Sequence, residues 1–303
     1  MERREFIALA AASAGASLCH AKVANIVQPP VQNNLAVVKN GSPEEMTRKA
    51  VELLGGMGRV VRPGQTIVIK PNMSWQRPPE LAANTNPGVV AEAVRMCLEA
   101  GAKRVMVFDR TIENPSRCYI TSGIAKAAAA AGADVHFTQD RLFEQVSIDG
   151  AYRLKEWTFY REALEADVLI SIPVLKRHIL TSMTLGFKNM MGLVGGNRER
   201  FHGSFDEMIV DVNRVLRPKL TIMDAYRALT QNGPGGGSLS GVIMMKTIVA
   251  GTDPVQVDSV SARLLGGDAK HLGYPKLAEK AGLGTTNITD PKPMEFSFSS
   301  HKG

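Results

Sequence analysis

Five residues, Val168 to Ile172, constrain the fold more than any other stretch of this 303-residue chain. Val-Leu-Ile-Ser-Ile is short, apolar and rich in β-branched side chains, and Pro173 ends it, so it reads as a buried strand. A dense basic segment follows. Lys176, Arg177 and His178 arrive within three residues, Lys188 and Asn189 precede a glycine-rich turn, and the segment closes on Arg198, Arg200 and His202. An apolar strand running straight into such a loop is the layout of a site at the carboxyl end of a strand in an open α/β sheet.

Similar runs recur along the chain. Thr66 to Ile69 leads into Lys70-Pro71-Asn72, and Val105 to Phe108 leads into Asp109-Arg110. Leu35 to Val38, Val135 to Phe137, Leu220 to Met223 and Ile243 to Val249 are further strands, the third of them ending at Asp224. Helix starts lie between them. Ser42-Pro43-Glu44-Glu45 supplies a capping hydroxyl, a proline in the first turn and acids at the positive end of the helix dipole. Asn86-Pro87 and Asp253-Pro254 open two more helices, Ile120 to Ala131 reads as another, and Phe205 to Leu216 is amphipathic. Residues 139–158 read as a polar insertion with a hairpin around Asp149-Gly150, and the loop from Asn72 to Asn86 is long enough to suggest a functional part. This alternation predicts an α/β protein with a largely parallel sheet flanked by helices. The domain spans 25–290, with room for two lobes around a cleft, the second beginning near 139; residues 291–303 read as a polar tail.

Before the domain, Arg3-Arg4 with Phe6 and Ile7 precedes an apolar run from Ile7 to Leu18, and Ala21 offers a small cleavage residue. Residues 1–24 therefore resemble a twin-arginine leader, which implies passage through the Tat export machinery as a folded protein and a periplasmic or other extracytoplasmic destination. No other segment is long and apolar enough to span a bilayer, so no integral membrane protein is expected after cleavage. The net charge of +7 suits an anionic partner, but the chain shows no basic helical stripe and no aromatic interleaving of the kind that binds nucleic acid. Cys19, Cys97 and Cys118 form no CxxC pattern, so no iron–sulfur cluster is expected in this chain; a Cys97–Cys118 disulfide stays open.

The candidate chemistry sits at strand ends. Lys176 and Arg177 supply charge for a carboxylate or phosphate, and Lys70 and Asn72 stand at a second strand end that would converge on the first. Gly235 and Gly236, in Asn232-Gly-Pro-Gly-Gly-Gly, offer backbone N–H groups to an anion. His178 can move a proton near neutral pH. Lys188 lies in an apolar run whose partial burial would lower its pKa, making the amine a nucleophile or a covalent cofactor anchor, with Asn189 and His202 beside it. Two histidines and a lysine do not complete a metal site, so a metal held by His202 would need a carboxylate, with Asp224 and Asp109 best placed. His136, His271 and His301 are assigned no role, and Asp253 reads as a helix cap.

The motifs TIVIKPNMSW, TNPGVVAEAV, LEAGAKRVMVFD, IPVLKRHILTSMTLGFKNMMGLVGG, QNGPGGG and AGTDPVQVDSVSARLLG, in this order, resemble the bacterial family called domain of unknown function 362. The likeness runs from about Val37 to Gly284. Some members of that family carry appended ferredoxin-type modules, which implies a separate iron–sulfur protein as a partner here. The segment from Glu165 to His202 is also similar to one in nickel-pincer lactate racemases. That resemblance implies proton transfer at His178, a covalently held organic cofactor at Lys188 and a divalent transition metal at His202. It departs in the Thr184-Leu185-Gly186-Phe187 approach to the lysine and in lacking a histidine after Asp109. The reading as a whole is an exported protein binding a small anionic molecule, as a cofactor- or metal-dependent enzyme acting on a carboxylate. The alternatives are a non-catalytic anion binder or an accessory to an iron–sulfur redox system.

Overall fold

The structure, a computed structural model, describes residues 34–179, 181–267 and 272–299, and of His202 the backbone alone. The expected leader, Cys19, His271, His301 and the last four residues of the tail lie outside the described residues.

In chain order the strands are β1 (Leu35–Lys39), β2 (Thr66–Pro71), β3 (Arg104–Val107), β4 (Asp134–Val135), β5 (Phe143–Ser147), β6 (Glu156–Tyr160), β7 (Val168–Ile172), β8 (Val174–His178), β9 (Ser182–Thr184), β10 (Leu220–Leu229), β11 (Val242–Gly251) and β12 (Met294–Ser297). The helices are α1 (Pro43–Leu53), α2 (Pro87–Glu99), α3 (Pro115–Thr121), α4 (Ile124–Ala130), α5 (Arg161–Glu165), α6 (Gly186–Asn189), α7 (Phe205–Val215), α8 (Pro254–Leu264) and α9 (Gly273–Lys280). The main sheet runs β12-β1-β11-β10-β7-β2-β3-β4, with β8 paired to β10 and β9 to β8. Its centre, β10-β7-β2-β3-β4, is parallel throughout, while β11 lies antiparallel between β1 and β10.

Alternation along the strands builds two cores. Ile67, Ile69, Ile170 and Ile172 pack on one face with Met46 and Val51 of α1 and Val90 and Val94 of α2. Val68, Leu169 and Met223 face the other side with Phe187, Ile209 and Val257. Because both faces are covered, the central strands read as unbroken apolar runs, which is why they stand out in the sequence. The capping box at Ser42 forms as its residues predict: its hydroxyl accepts from the Glu45 N–H and the Glu45 carboxylate accepts from the Ser42 N–H.

Several expectations are corrected. The basic stretch after Pro173 is a hairpin, β8 paired with β9, rather than a loop. The helix expected over 120–131 is two short helices broken at Gly123, whose φ of +72° suits glycine. β10 runs on past Asp224 to Leu229 with a bulge between Ala225 and Arg227. The tail adds an edge strand, β12, parallel to β1. Cys97 and Cys118 are buried free thiols, so no disulfide joins them. The insertion at 139–158 does hold a hairpin, β5 with β6, and the described residues form one compact unit.

Candidate functional site

The sheet reverses its winding between β2 and β7. From β2 the chain moves outward to β3, and from β7 it moves the other way, to β10. A crevice opens beyond the carboxyl ends of two strands that diverge in this way. The long loop expected from sequence folds over this crevice. Thr85 ties it down, accepting the Asn72 N–H at 2.8 Å and donating to the Ile172 carbonyl at 2.7 Å.

A cavity of about 480 Å³ occupies this position, and Lys70, Lys176 and Lys188 all line it. Their environments differ. Lys70 is 1% exposed, and its amine meets three acceptors: the Pro71 carbonyl and Asn189 Oδ1, each at 2.7 Å, and Asp109 Oδ1 at 2.9 Å. The last contact has ion-pair distance but poor hydrogen-bond direction. Asp109 uses its other oxygen for the Met73 N–H and the Ser74 hydroxyl. Gly192 makes this packing feasible, because a Cβ there would fall on Asp109 Oδ1 and within 2.7 Å of Lys70 Nζ.

Lys176 is just as buried but has no carboxylate partner among the described residues. Its amine donates to the Ala83 carbonyl at 2.6 Å and to Asn72 Oδ1 at 3.2 Å, so that in its charged form one further proton is left for a ligand. Burial holds its pKa well below the usual lysine value, and the nearby Lys188 charge lowers it further. Lys188 donates to Thr181 Oγ1 at 2.8 Å and stands 5.3 Å from the centre of the Phe205 ring. Burial pushes its amine down to about 7.

His178 lines the same cavity. Its Nδ1 accepts the Thr181 N–H at 3.3 Å, which places the proton of the neutral ring on Nε2. Thr181 thus holds the histidine through its backbone and Lys188 through its hydroxyl. Apolar side chains complete the walls, among them Trp75, Ile112, Ile179 and Phe205. Ile112 and Ile179 are largely exposed.

The expected residues are therefore sorted. Lys70, Asn72, Lys176, His178, Lys188 and Asn189 converge on one cavity. Asn189 is committed to the fold: Oδ1 accepts from Lys70, while Nδ2 donates to the Lys70 carbonyl and to Ser171 Oγ. Arg177 is a correction. Strand alternation turns it away from Lys176 and His178, and it is exposed and donates to the Leu265 carbonyl. Gly235 packs near the Trp75 ring and Gly236 donates its N–H to the Asn232 carbonyl, so their Pro234 neighbour, rather than their amides, reaches the cavity wall. Asp224 lies outside that wall. Its oxygens accept the Asn86 and Tyr226 N–H groups, and burial raises its carboxyl to about 6. The His202 side chain is outside the described set. Thr181 and Gly192 were not singled out from sequence, because neither residue type announces a contact set by a hairpin turn or by close backbone approach.

Among the described residues no three His, Cys, Asp or Glu side chains gather where one ion could bind. The donors that the described cavity wall presents are chiefly amines and an imidazole. Among the described residues, too, no helix is long and apolar enough to cross a membrane.

Comparison with known proteins gives a family. Residues 67–263 match the model of a domain of unknown function, DUF362. A thylakoid-associated protein of Synechocystis sp. is 29% identical over 255 residues, covering 81% of this chain and 77% of that protein. Among solved structures, the lactate racemase apoprotein of Thermoanaerobacterium thermosaccharolyticum overlaps 82% of this chain at a TM-score of 0.44 and 12% identity. This chain spans 58% of the racemase chain. A Thermotoga maritima protein overlaps 79% of this chain at a TM-score of 0.39 and 12% identity, and this chain spans 60% of that one. Neither overlap is close enough to transfer a residue role.

Proposed function

This chain belongs to the DUF362 family, and for this member we propose an enzyme that binds a small carboxylate at the β2–β7 switch point and moves a proton on it. One observation carries the reading: Lys176 is buried and Lys188 half-buried in one cavity, and neither has a carboxylate at ion-pair distance among the described residues, while the nearby Asp109 is committed to Lys70 and Glu199, on the cavity wall, is exposed. Isolated buried charge is expensive, and an anionic ligand is the group that would relieve it. In this reading Lys176 binds the carboxylate through its remaining proton, His178 acts as acid or base through Nε2, and Lys188 is the nucleophile. Lys70 shapes the site and fixes Asn189 without itself contacting ligand.

Export is part of the proposal. It is supported by the paired arginines and apolar run of residues 1–24, and the thylakoid association of the Synechocystis relative is compatible with work outside the cytosol.

Calorimetric titration with small carboxylates of graded size tests the binding. Lys176→Met should abolish binding, and Arg177→Ala should leave it within about twofold. Equal losses from both substitutions, or no binding by any carboxylate, would sink the assignment. His178→Ala then separates an enzyme from a binder, since loss of turnover with binding retained marks the enzyme.

A further inference from the structure

We propose that Lys188 forms an imine with the carbonyl carbon of a 2-oxo acid bearing an apolar substituent, the carboxylate of that acid resting on Lys176. The proposal rests on the carboxylate-binding reading above and adds the reacting bond and the shape of the substrate. Four observations meet at this point. Lys188 is held by one hydrogen bond, to Thr181 Oγ1, and faces the Phe205 ring rather than a carboxylate, so its nitrogen is not committed to an ion pair. Lys176 lies in the same cavity with a proton to spare and is near enough to interact electrostatically with Lys188. His178 shares Thr181 with Lys188, which puts a proton-bearing Nε2 in the same neighbourhood. Apolar side chains, Trp75, Met191, Ile112 and Ile179, supply much of the remaining wall, beside Arg198 and the exposed Glu199, and a methyl or aryl group would sit against them.

The chemistry balances without any added oxidant or reductant. The neutral Lys188 nitrogen attacks the carbonyl carbon, and the carbonyl π pair moves to oxygen, which takes the His178 Nε2 proton. The new carbinolamine nitrogen gives up a proton to the imidazole. That proton then goes to the hydroxyl, which leaves as water while the nitrogen lone pair closes the C=N bond, and the remaining iminium proton returns to Nε2, which restores the neutral imidazole. One amine and one carbonyl yield one imine and one water. A lysine desolvated beside another cation is the environment that keeps such an amine neutral and nucleophilic.

The experiment is reductive trapping on the folded protein. Phenylpyruvate is added near neutral pH with cyanoborohydride, and the modified lysine is located by peptide mass spectrometry. Expected is stoichiometric labelling at Lys188, at least tenfold above any other lysine. Lys188→Met should lose it, Lys176→Met should reduce it at least tenfold, and acetophenone, which lacks the carboxylate, should not label. Circular dichroism of each variant confirms folding. Labelling spread evenly over surface lysines, or equal labelling by acetophenone, overturns the proposal. A parallel titration with phenylacetate, which has the carboxylate but no ketone, separates the two ideas. Binding of phenylacetate with no adduct from phenylpyruvate ends the imine and keeps the carboxylate site; no binding of either compound removes both.

Discussion

Lys188 is the residue whose state the site depends on most. Its amine titrates near 7 in the folded protein and near 10.5 in an unfolded chain, so between those values the unfolded chain holds a proton that the folded one lacks. Stability of the ligand-free protein should therefore rise with pH across that window, by up to about 1.4 kcal/mol per pH unit for this group, and the gain should disappear as pH falls through 7. Urea unfolding of the parent and Lys188→Met at a series of pH values reads this directly: the variant should show a shallower slope, and identical slopes would contradict the burial argument. A carboxylate resting on Lys176 stabilises the charged form that burial disfavours there, so binding near pH 8 should be accompanied by proton uptake. Titrations in buffers of different ionisation enthalpy measure that uptake, and a value of zero would show that the anion does not reach the lysines. Gly192→Ala is a second residue-scale test. Its methyl would strike Asp109 Oδ1 and Lys70, and separating that buried pair should lower stability by about 3–5 kcal/mol in chemical denaturation.

At the scale of elements, α6 is a single turn that could not hold Lys188 in place alone. Asp258 of α8 anchors it, accepting the Gly186 N–H at 2.6 Å, the Phe187 N–H at 3.0 Å and the Tyr274 hydroxyl at 2.8 Å. Asp258→Asn replaces one acceptor oxygen with an NH2 group that must face donors, so it should destabilise the protein by about 1–3 kcal/mol. It should also weaken carboxylate binding without removing a group that touches the ligand, with the proton uptake on binding reduced as Lys188 shifts. Stability loss with binding and proton uptake unchanged would show that α6 keeps its place by other means. The sequence showed the strands β2 and β7, the capped helices and the identity of Lys188 as a candidate, because each depends on local patterning within a few residues. The β8–β9 hairpin was hidden, since Lys176-Arg177-His178 has none of the apolar alternation that marks a strand. Even so, period-two geometry, once the strand is known, explains at a glance why the first and third of these face the cavity and Arg177 does not. The role of Asp258 was not legible at all: it acts across 71 and 72 residues of sequence on two backbone amides.

For the whole molecule, the carboxyl edge of the sheet carries an unbalanced set of charges. Lys70, Lys176 and Lys188 line a common cavity whose one wall acid, Glu199, is exposed; the nearby Asp109 is committed to Lys70, and Arg198, also in the wall, is spent on the carbonyls of Arg110 and Thr111. A fold selected for stability alone would fill the Lys176 position with an apolar side chain, because its neighbours are the Ala83 carbonyl, Asn72 and the Trp75 ring rather than an acid. Keeping a buried amine there makes sense if a ligand completes the charge balance, and this is the usual form of a trade between stability and activity. The consequence is a pair of opposite effects from one substitution. Lys176→Met should raise the stability of the ligand-free protein by about 1–3 kcal/mol, a shift of several degrees in Tm, because it removes a desolvated charge while conserving volume. The same substitution should abolish the upward shift in Tm that saturating carboxylate gives the parent, which follows mass action at about 2.7 kcal/mol for a ligand at a hundredfold its Kd. Thermal unfolding of both proteins, with and without ligand, checks the two signs together. If the variant is less stable than the parent, Lys176 is holding the Asn72–Ala83 loop through its hydrogen bonds more than it is waiting for an anion, and the cavity would have to be read as structural at that corner.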